Sequence, residues 1–199
     1  MYCNILELFA KRHSFYDINN KIPLDNDNIA KLIKSCIELY PSSFNNQSAR
    51  VILLQNQNHN KFWNLVQNEL IKTTPFEKHE GIKDKITSFA NGYGTILFYV
   101  DTNATKQLEE QYPLYASNFA NWDMQSNAML QFMIWTALAN NNIGASLQHY
   151  NPLIDDVIRD EFNIPISWQM VAQMPFGGIS STPQPHDIKN IDERFIILR

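Results

Sequence analysis

Three short stretches of this sequence carry side chains suited to chemistry. The stretch "GASLQHYNP", Gly144 to Pro152, offers an amide, an imidazole and a phenol in successive positions, Gln148, His149 and Tyr150. Three small residues precede them, and small residues let a flat group approach the backbone closely. The stretch "KRHS", Lys11 to Ser14, gathers cationic and hydroxyl donors of the kind that suit phosphate oxygens. A solvated helix end has the same composition. The stretch "PSSFNNQSA", from Pro41 onward, supplies Ser42, Ser43, Asn45, Asn46 and Gln47. Short hydrogen-bonding side chains can decorate the polar edge of a heterocycle, and they equally favour ordinary Asx and Ser turns.

His149 reads either as a general acid or base or as a packed, backbone-bonded histidine. No Asp or Glu stands at an obvious spacing to orient it, and no serine sits in a nucleophile elbow. The chain has no GxGxxG, no Walker loop and no HExxH, so hydrolase and nucleotidase chemistry have little support. Cys3 and Cys36 form no CxxC or metal-type cluster, which argues against a disulfide framework and a zinc site. Each reads as a small buried or half-buried side chain.

Periodicity supplies the elements that would position these groups. Residues 2–11 read as a helix with Ile5, Leu6, Leu8 and Phe9 on one stripe. A second helix is expected in "PLDNDNIAKLIKSCIELY", capped by Asp25 or Asp27. "RVILLQN" reads as a strand, "HNKFWNLVQNELI" as a third helix, and Lys72 to Lys85 as a charged, weakly apolar stretch of no clear type. The apolar run "YGTILFYVD" is the clearest strand. After a variable segment, "WDMQSNAMLQFMIWTALANNNIG" is the longest helix. It is apolar almost all round, as a central buried helix should be, with Gly144 at its C′ position. A short amphipathic helix in "NPLIDDVIRDEFNIP", a strand in "WQMVAQMPFGG" running into a glycine turn, and a terminal strand in "ERFIILR" complete the reading. Helices outnumber scattered strands, so the class is α+β.

The length of 199 residues suits a single domain over 1–199. With 44% hydrophobic and 18% charged residues the chain is globular rather than disordered. A formal charge of -4 offers no basic field for nucleic acid. The 12 Phe, 8 Tyr and 4 Trp fit a filled core, a flat ligand or a subunit interface. Glu7 interrupts the N-terminal apolar run, which therefore does not read as a secretory leader, and no run approaches the ~20 residues of a membrane helix. A cytoplasmic protein with no membrane partner is expected.

Taken in order, these pieces resemble the FMN-dependent nitroreductase family. Within it they are most similar to the compact branch of yeast fatty-acid-repression-mutant type proteins and copper-induced bacterial nitroreductases. "KRHSFYDI" resembles its basic phosphate-binding motif, "PSSFNNQSARVILL" its loop and strand, and "GYGTILFYVD" its Tyr-Gly-Thr strand. "GASLQHYNP" is close to a signature of the branch, and "WQMVAQMPFGG" and "ERFIIL" complete the pattern.

The resemblance implies a nitroreductase-like fold with a central, mostly antiparallel sheet flanked by helices, and an intertwined homodimer with FMN at the subunit interface. Arg12 and Ser14 would hold the flavin phosphate, with His13 helping through its backbone. Tyr16 stands where the family usually has a second basic residue and can offer only a hydroxyl. Arg194, and secondarily Lys189, would balance the phosphate. Ser43, Asn45 and Gln47 of the partner would reach the ring and ribityl chain. Leu147, Gln148 and His149 would lie along the flavin, backbone N–H groups toward N5. NADH or NADPH would deliver hydride in a ping-pong cycle to a small aromatic acceptor, a nitro compound or quinone. Phe44, Phe76, Tyr112, Tyr115, Phe119 and Trp122 are candidates for the acceptor's wall or for plain core packing. Two other roles stay open: defence against oxidative or metal stress, and a flavin-binding regulatory or lipid-signalling protein with little turnover.

Overall fold

The computed structural model describes residues 4–183 and 187–199. In chain order the elements are α1 Asn4–Lys11, β1 Ile18–Asn19, α2 Asn26–Leu39, β2 Ala49–Gln55, α3 Asn56–Thr73, α4 His79–Ala90, β3 Gly94–Asp101, α5 Thr102–Gln111, α6 Ala116–Asn140, β4 Ile143–Ala145, α7 Asp155–Phe162 and β5 Trp168–Ile179. The strands form one antiparallel sheet of order β1-β5-β3-β2, with β4 also on β5.

β3 is buried from Gly94 to Val100, which explains its unbroken apolar run. Its side chains alternate between two cores. Ile96, Phe98 and Val100 join Ile29, Ile33 and Cys36 of α2 and Leu130, Ile134 and Leu138 of α6. Leu97 and Tyr99 join Phe62, Trp63 and Val66 of α3, Ile86 and Phe89 of α4 and Ile158 of α7. Helices therefore flank both faces, as the α+β reading expects. Burial pushes the Cys36 thiol up, in keeping with a packing role. Cys3 lies outside the described residues. Asp25 caps α2 by accepting from the Asn28 N–H at 2.8 Å.

Several expectations are corrected. Lys72 to Lys85 contains the end of α3 and the start of α4, and the variable segment holds α5, a polar helix that buries only Thr105 and Leu108. Amphipathic signal is weak where a helix rests on the protein by so little. α6 begins at Ala116, six residues before the expected tryptophan, and is not apolar all round. Asp123, Ser126, Asn127 and Gln131 are buried in it, while Met124, Met129 and Phe132 are exposed.

Gly144 does not cap α6. Asn142 takes the left-handed conformation (φ 56°), and Gly144 sits in β4. There a Cβ would come within 2.9 Å of Ile179 Cγ1 and 3.1 Å of Phe15 Cβ, so its smallness serves internal packing. Gly177 and Gly178 lie inside β5 and form no turn. A Cβ on them would stand 2.3 Å from the Asn19 carbonyl oxygen and 2.1 Å from that of Lys21. The "ERFIILR" segment is not a strand: residues 187–199 are exposed and carry neither helix nor strand. Its apolar pattern marks a need for burial that this chain alone does not meet.

Between α3 and β3 runs a buried chain of hydrogen bonds. Trp63 Nε1 donates to Thr95 Oγ1 at 2.9 Å, and His59 Nδ1 lies 2.9 Å from the same hydroxyl. His59 Nε2 lies 3.1 Å from the Ala90 carbonyl. A carbonyl only accepts, so Nε2 carries the proton and Nδ1 accepts from Thr95. Burial holds the His59 pKa below its ordinary value, against smaller opposing bonds to the Ala90 and Phe89 carbonyls. The folded state thus favours neutral His59, and the unfolded chain takes up the proton first. That contribution is present above about pH 6.5 and is lost as pH falls toward the lower folded pKa. Denaturant midpoints taken between pH 8 and pH 5 should fall with pH in the native protein. The fall should be shallower in His59→Gln; equal slopes would exclude His59 as its source.

Candidate functional site

Two groups of predicted residues assemble separately. The first lies where α1, β4 and the C-terminal half of α6 meet. Ser14 pairs with Ala145 in a parallel bridge, and the Phe15 N–H donates to the Ala145 carbonyl at 3.0 Å. The Trp135 indole N–H donates to the same carbonyl at 3.2 Å, and the Arg12 guanidinium lies over its ring, 4.4 Å from the centroid. The ion pairs among the described residues are Arg50–Asp101, Lys61–Glu161, Lys72–Glu69 and Arg159–Asp156, and none uses Arg12. A half-buried cation aimed by an aromatic face, beside a serine, suits an anion. His13 contacts the Phe15 ring edge-on at 6.3 Å, and Tyr16 is exposed with its ring 6.4 Å from Phe89.

The "SLQHYN" segment continues from β4. Gln148 forms an antiparallel bridge with Gln173 of β5: its N–H donates to the Gln173 carbonyl at 2.7 Å and its carbonyl accepts at 2.9 Å. The Gln148 amide donates to Ser146 Oγ at 3.1 Å, and Gln148 is buried. Its N–H is therefore engaged by β5 and does not face a ligand, which corrects that part of the expectation. Residues flanking such a bridge turn their N–H groups the other way, so Leu147 and His149 face away from β5. His149 is exposed. The Tyr150 ring packs edge-on against Trp63 at 5.9 Å, and its N–H donates to Gln173 Oε1 at 2.8 Å. Burial pushes the Tyr150 hydroxyl up to about 12, so it stays protonated and is a poor acid near neutrality. The successive amide, imidazole and phenol therefore point in, out and in, and form no catalytic triplet. Gly144, Ala145 and Ser146 are likewise buried against the protein itself.

The second group is the loop after α2. Ser43–Asn45 forms one turn, and Phe44, Asn45 and Gln47 take φ of 53°, 52° and 49°. Asn45 and Gln47 are exposed, whereas Ser48 is buried. Five of the six aromatic candidates gather on this loop. Phe44 lies 4.8 Å from Tyr112 and 5.4 Å from Phe119, and stacks on Trp122 at 6.3 Å with 19° between planes. Tyr115 stands 6.4 Å away. Phe119 is fully buried, so it packs the base of the cluster, while Phe44 is half exposed. Phe76 stands apart, exposed beside His79.

Asp123 was missed by sequence reasoning. Its buried carboxylate accepts from Asn46 Nδ2 at 2.6 Å, Ser48 Oγ at 2.8 Å and Thr105 Oγ1 at 2.6 Å. Trp135 was missed as well. Both sit in a helix read as apolar core, where only a polar residue on the buried stripe could have flagged Asp123. Lys189 and Arg194 lie in the exposed terminal segment, where the Arg194 N–H donates to the Ile191 carbonyl at 2.9 Å.

Twelve positions separate Asp123 from Trp135 along α6, about 18 Å at 1.5 Å per residue. Two clefts of about 460 Å³ occur among the described residues. One is lined by Thr105, Lys106, Glu109, Asn121 and Met124, the other by Asn20, Asn56, His59, Asn60 and Tyr93. Neither includes Arg12, Ser14, Leu147 or Gln47.

The folded chain is similar to nitroreductase CinD from Lactococcus lactis, solved in complex with nicotinic acid. The TM-score is 0.92 at 33% identity, covering 98% of this chain and 100% of that one. CinD has also been solved with chloramphenicol and with 4-nitrophenol. Nitroreductase FRM2 of Saccharomyces cerevisiae is 24% identical over 183 residues, 91% of each chain. A nitroreductase from Desulfitobacterium hafniense with bound FMN shares the fold at 19% identity, with a TM-score of 0.74 and full coverage of both chains. The nitroreductase family model matches residues 9–178, most of the chain and both candidate groups, and the chain belongs to the nitroreductase family.

Proposed function

We propose that this chain is an FMN-dependent oxidoreductase acting as a homodimer, with NADH or NADPH as donor and nitroaromatics, quinones or similar electron-poor aromatics as acceptors. The observation that carries the reading is the Ser14–Ala145 pairing, which joins the Arg12–Ser14 donors to the segment that leads, two residues later, into Leu147–His149. That donor set fits FMN: a guanidinium and a hydroxyl for the phosphate, and outward-facing N–H groups for the ring edge. The relatives support it, since the D. hafniense fold neighbour holds FMN and CinD was solved with two nitroaromatic compounds and with nicotinic acid.

When bound, FMN supplies hydride acceptance and delivery in two half-reactions. The chain's own residues bind, orient and shield. Arg12 would neutralise part of the phosphate charge and the Ser14 hydroxyl would donate to it, while Lys189 and Arg194 of the terminal segment would add positive charge. His13 contributes through its backbone, and Tyr16 offers a hydroxyl at most. Leu147 and His149 present N–H groups at fixed height because Gln148 is locked to β5. Ser43, Asn45 and Gln47 come from the second copy. The roughly 18 Å of α6 between Asp123 and Trp135, which carry the two groups within one chain, favours that arrangement over a site inside one copy. A second copy also covers exposed apolar surface: Ile5, Leu6 and Phe9 of α1, Met124, Met129 and Phe132 of α6, and Ile196 to Leu198. Phe44 and Tyr112 would form part of the wall against which a flat acceptor rests.

Purified protein should show a flavin absorbance band that NADH or NADPH bleaches anaerobically and a nitroaromatic restores. A flavin band that neither nucleotide bleaches would overturn the enzymatic reading. Arg12→Ala should weaken FMN binding by roughly 1.5–3 kcal/mol, the value of a charge-assisted contact, in a fluorescence titration; unchanged affinity would remove Arg12 from the phosphate site. His149→Ala should keep nitroreductase turnover within about tenfold, because only its backbone is used. A loss of ~10²–10⁴ would instead assign a proton transfer to the imidazole.

A further inference from the structure

We propose that Asp123 is a positioning residue that sets the shape of the Ser42–Ser48 loop and, through it, the flavin contacts of Ser43, Asn45 and Gln47; the inference rests on the flavin reading above. Asp123 is 1% exposed, yet none of the ion pairs among the described residues includes it. Its three donors are neutral, and two of them, Asn46 Nδ2 and Ser48 Oγ, belong to the loop. The third, Thr105 Oγ1, ties the carboxylate to α5. A buried carboxylate needs its lone pairs filled, so the loop side chains that fill them are held inward.

The loop alternates accordingly. Asn46 and Ser48 turn in to Asp123, while Asn45 and Gln47 on either side of Asn46 are exposed. Left-handed backbone at Phe44, Asn45 and Gln47 persists only where the surroundings over-determine it. Other bonds hold the ends. The Gln47 N–H donates to Ser42 Oγ at 3.0 Å, Arg50 Nη1 donates to the Gln47 carbonyl at 2.7 Å, and the Asp101 N–H donates to the Ser48 carbonyl at 2.8 Å. The middle residue is held by its side chain: Asn46 Oδ1 accepts from the Ser48 N–H at 3.3 Å, and its Nδ2 makes the shorter bond, at 2.6 Å, that ties it to Asp123 outside the loop. The preceding residue, Trp122, stacks on Phe44, so one turn of α6 holds the loop by a carboxylate and a ring. Asp123 touches no reacting group and acts through the loop.

The test compares Asn46→Ala and Asp123→Asn with Ile158→Ala, a cavity in the other core that lowers thermal stability without touching the loop. Apoprotein is titrated with FMN, visible circular dichroism of the bound flavin is recorded, and amide exchange is followed over 42–48. Both loop-side variants should raise the FMN dissociation constant about tenfold or more, alter the flavin dichroism and speed exchange in the loop. Ile158→Ala should lower the melting temperature and leave all three unchanged. Where Asp123→Asn does not fold, Ser48→Ala replaces it. The inference is overturned if Asn46→Ala loosens the loop yet binds FMN within about twofold of the native protein, or if Ile158→Ala weakens FMN as much. A native protein that takes up no FMN overturns the flavin reading instead, and this inference with it.

Discussion

Because β3 is buried along both faces, its backbone has to be satisfied inside the sheet and its side chains must be apolar in both directions. β2 and β5 meet the first demand on either side. The pairing with β5 slips by one residue between Phe98 and Tyr99, and beside that bulge the Asn127 amide donates to the Tyr99 carbonyl at 2.9 Å. Gln131 in turn donates to Asn127 Oδ1 at 2.7 Å. The polar stripe of α6 is therefore an answer to β3, and the helix could not be apolar all round while packing on that stretch of sheet.

The candidate flavin-facing segment inherits its position from the same strand at one remove. β3 sets the register of β5, and β5 holds β4 and Gln148. Gln173 does most of this: its backbone bonds Gln148 in both directions, its Oε1 accepts the Tyr150 N–H, and its Nε2 donates to Asn151 Oδ1 at 3.1 Å. A fully buried glutamine with all its groups engaged is a rigid support. The exposed His149 is carried on that support, which accounts for a chemically suggestive triplet in which two of three side chains are structural.

The long strands β2, β3 and β5 and the strongly periodic helices were legible because burial imposed a pattern on each of them, whereas the two- and three-residue strands β1 and β4 are too short to carry one. The Arg12–Ser14 and Ser43–Gln47 pieces stand out by residue type alone, and five of the six aromatic candidates lie together at the second group, with Phe76 apart. What stayed hidden was pairwise. Nothing in the spacing of Asn46 and Asp123, or of Arg12 and Trp135, marks them as partners, since each contact crosses from one element to another. Gly144, Gly177 and Gly178 looked like turn residues because close approach and turns call for the same side chain. "ERFIILR" misled for a different reason: an apolar segment records that something must cover it, and sequence does not say whether the cover lies in the same chain.

α6 links these observations physically. Its N-terminal half carries Trp122 and Asp123 under the strained loop, and its C-terminal half carries Trp135 under Arg12. On the two-copy reading each flavin would lie between the first end of one α6 and the second end of the other. A stiff helix then fixes the distance between the two sites and the reach of each loop. Three left-handed residues cost on the order of 1–3 kcal/mol each, a sum that flexible anchors would not hold. The buried carboxylate and the stacked ring on one turn of α6 supply rigid ones, so on that reading the loop would meet its ligand already shaped, with little ordering left to be done on binding.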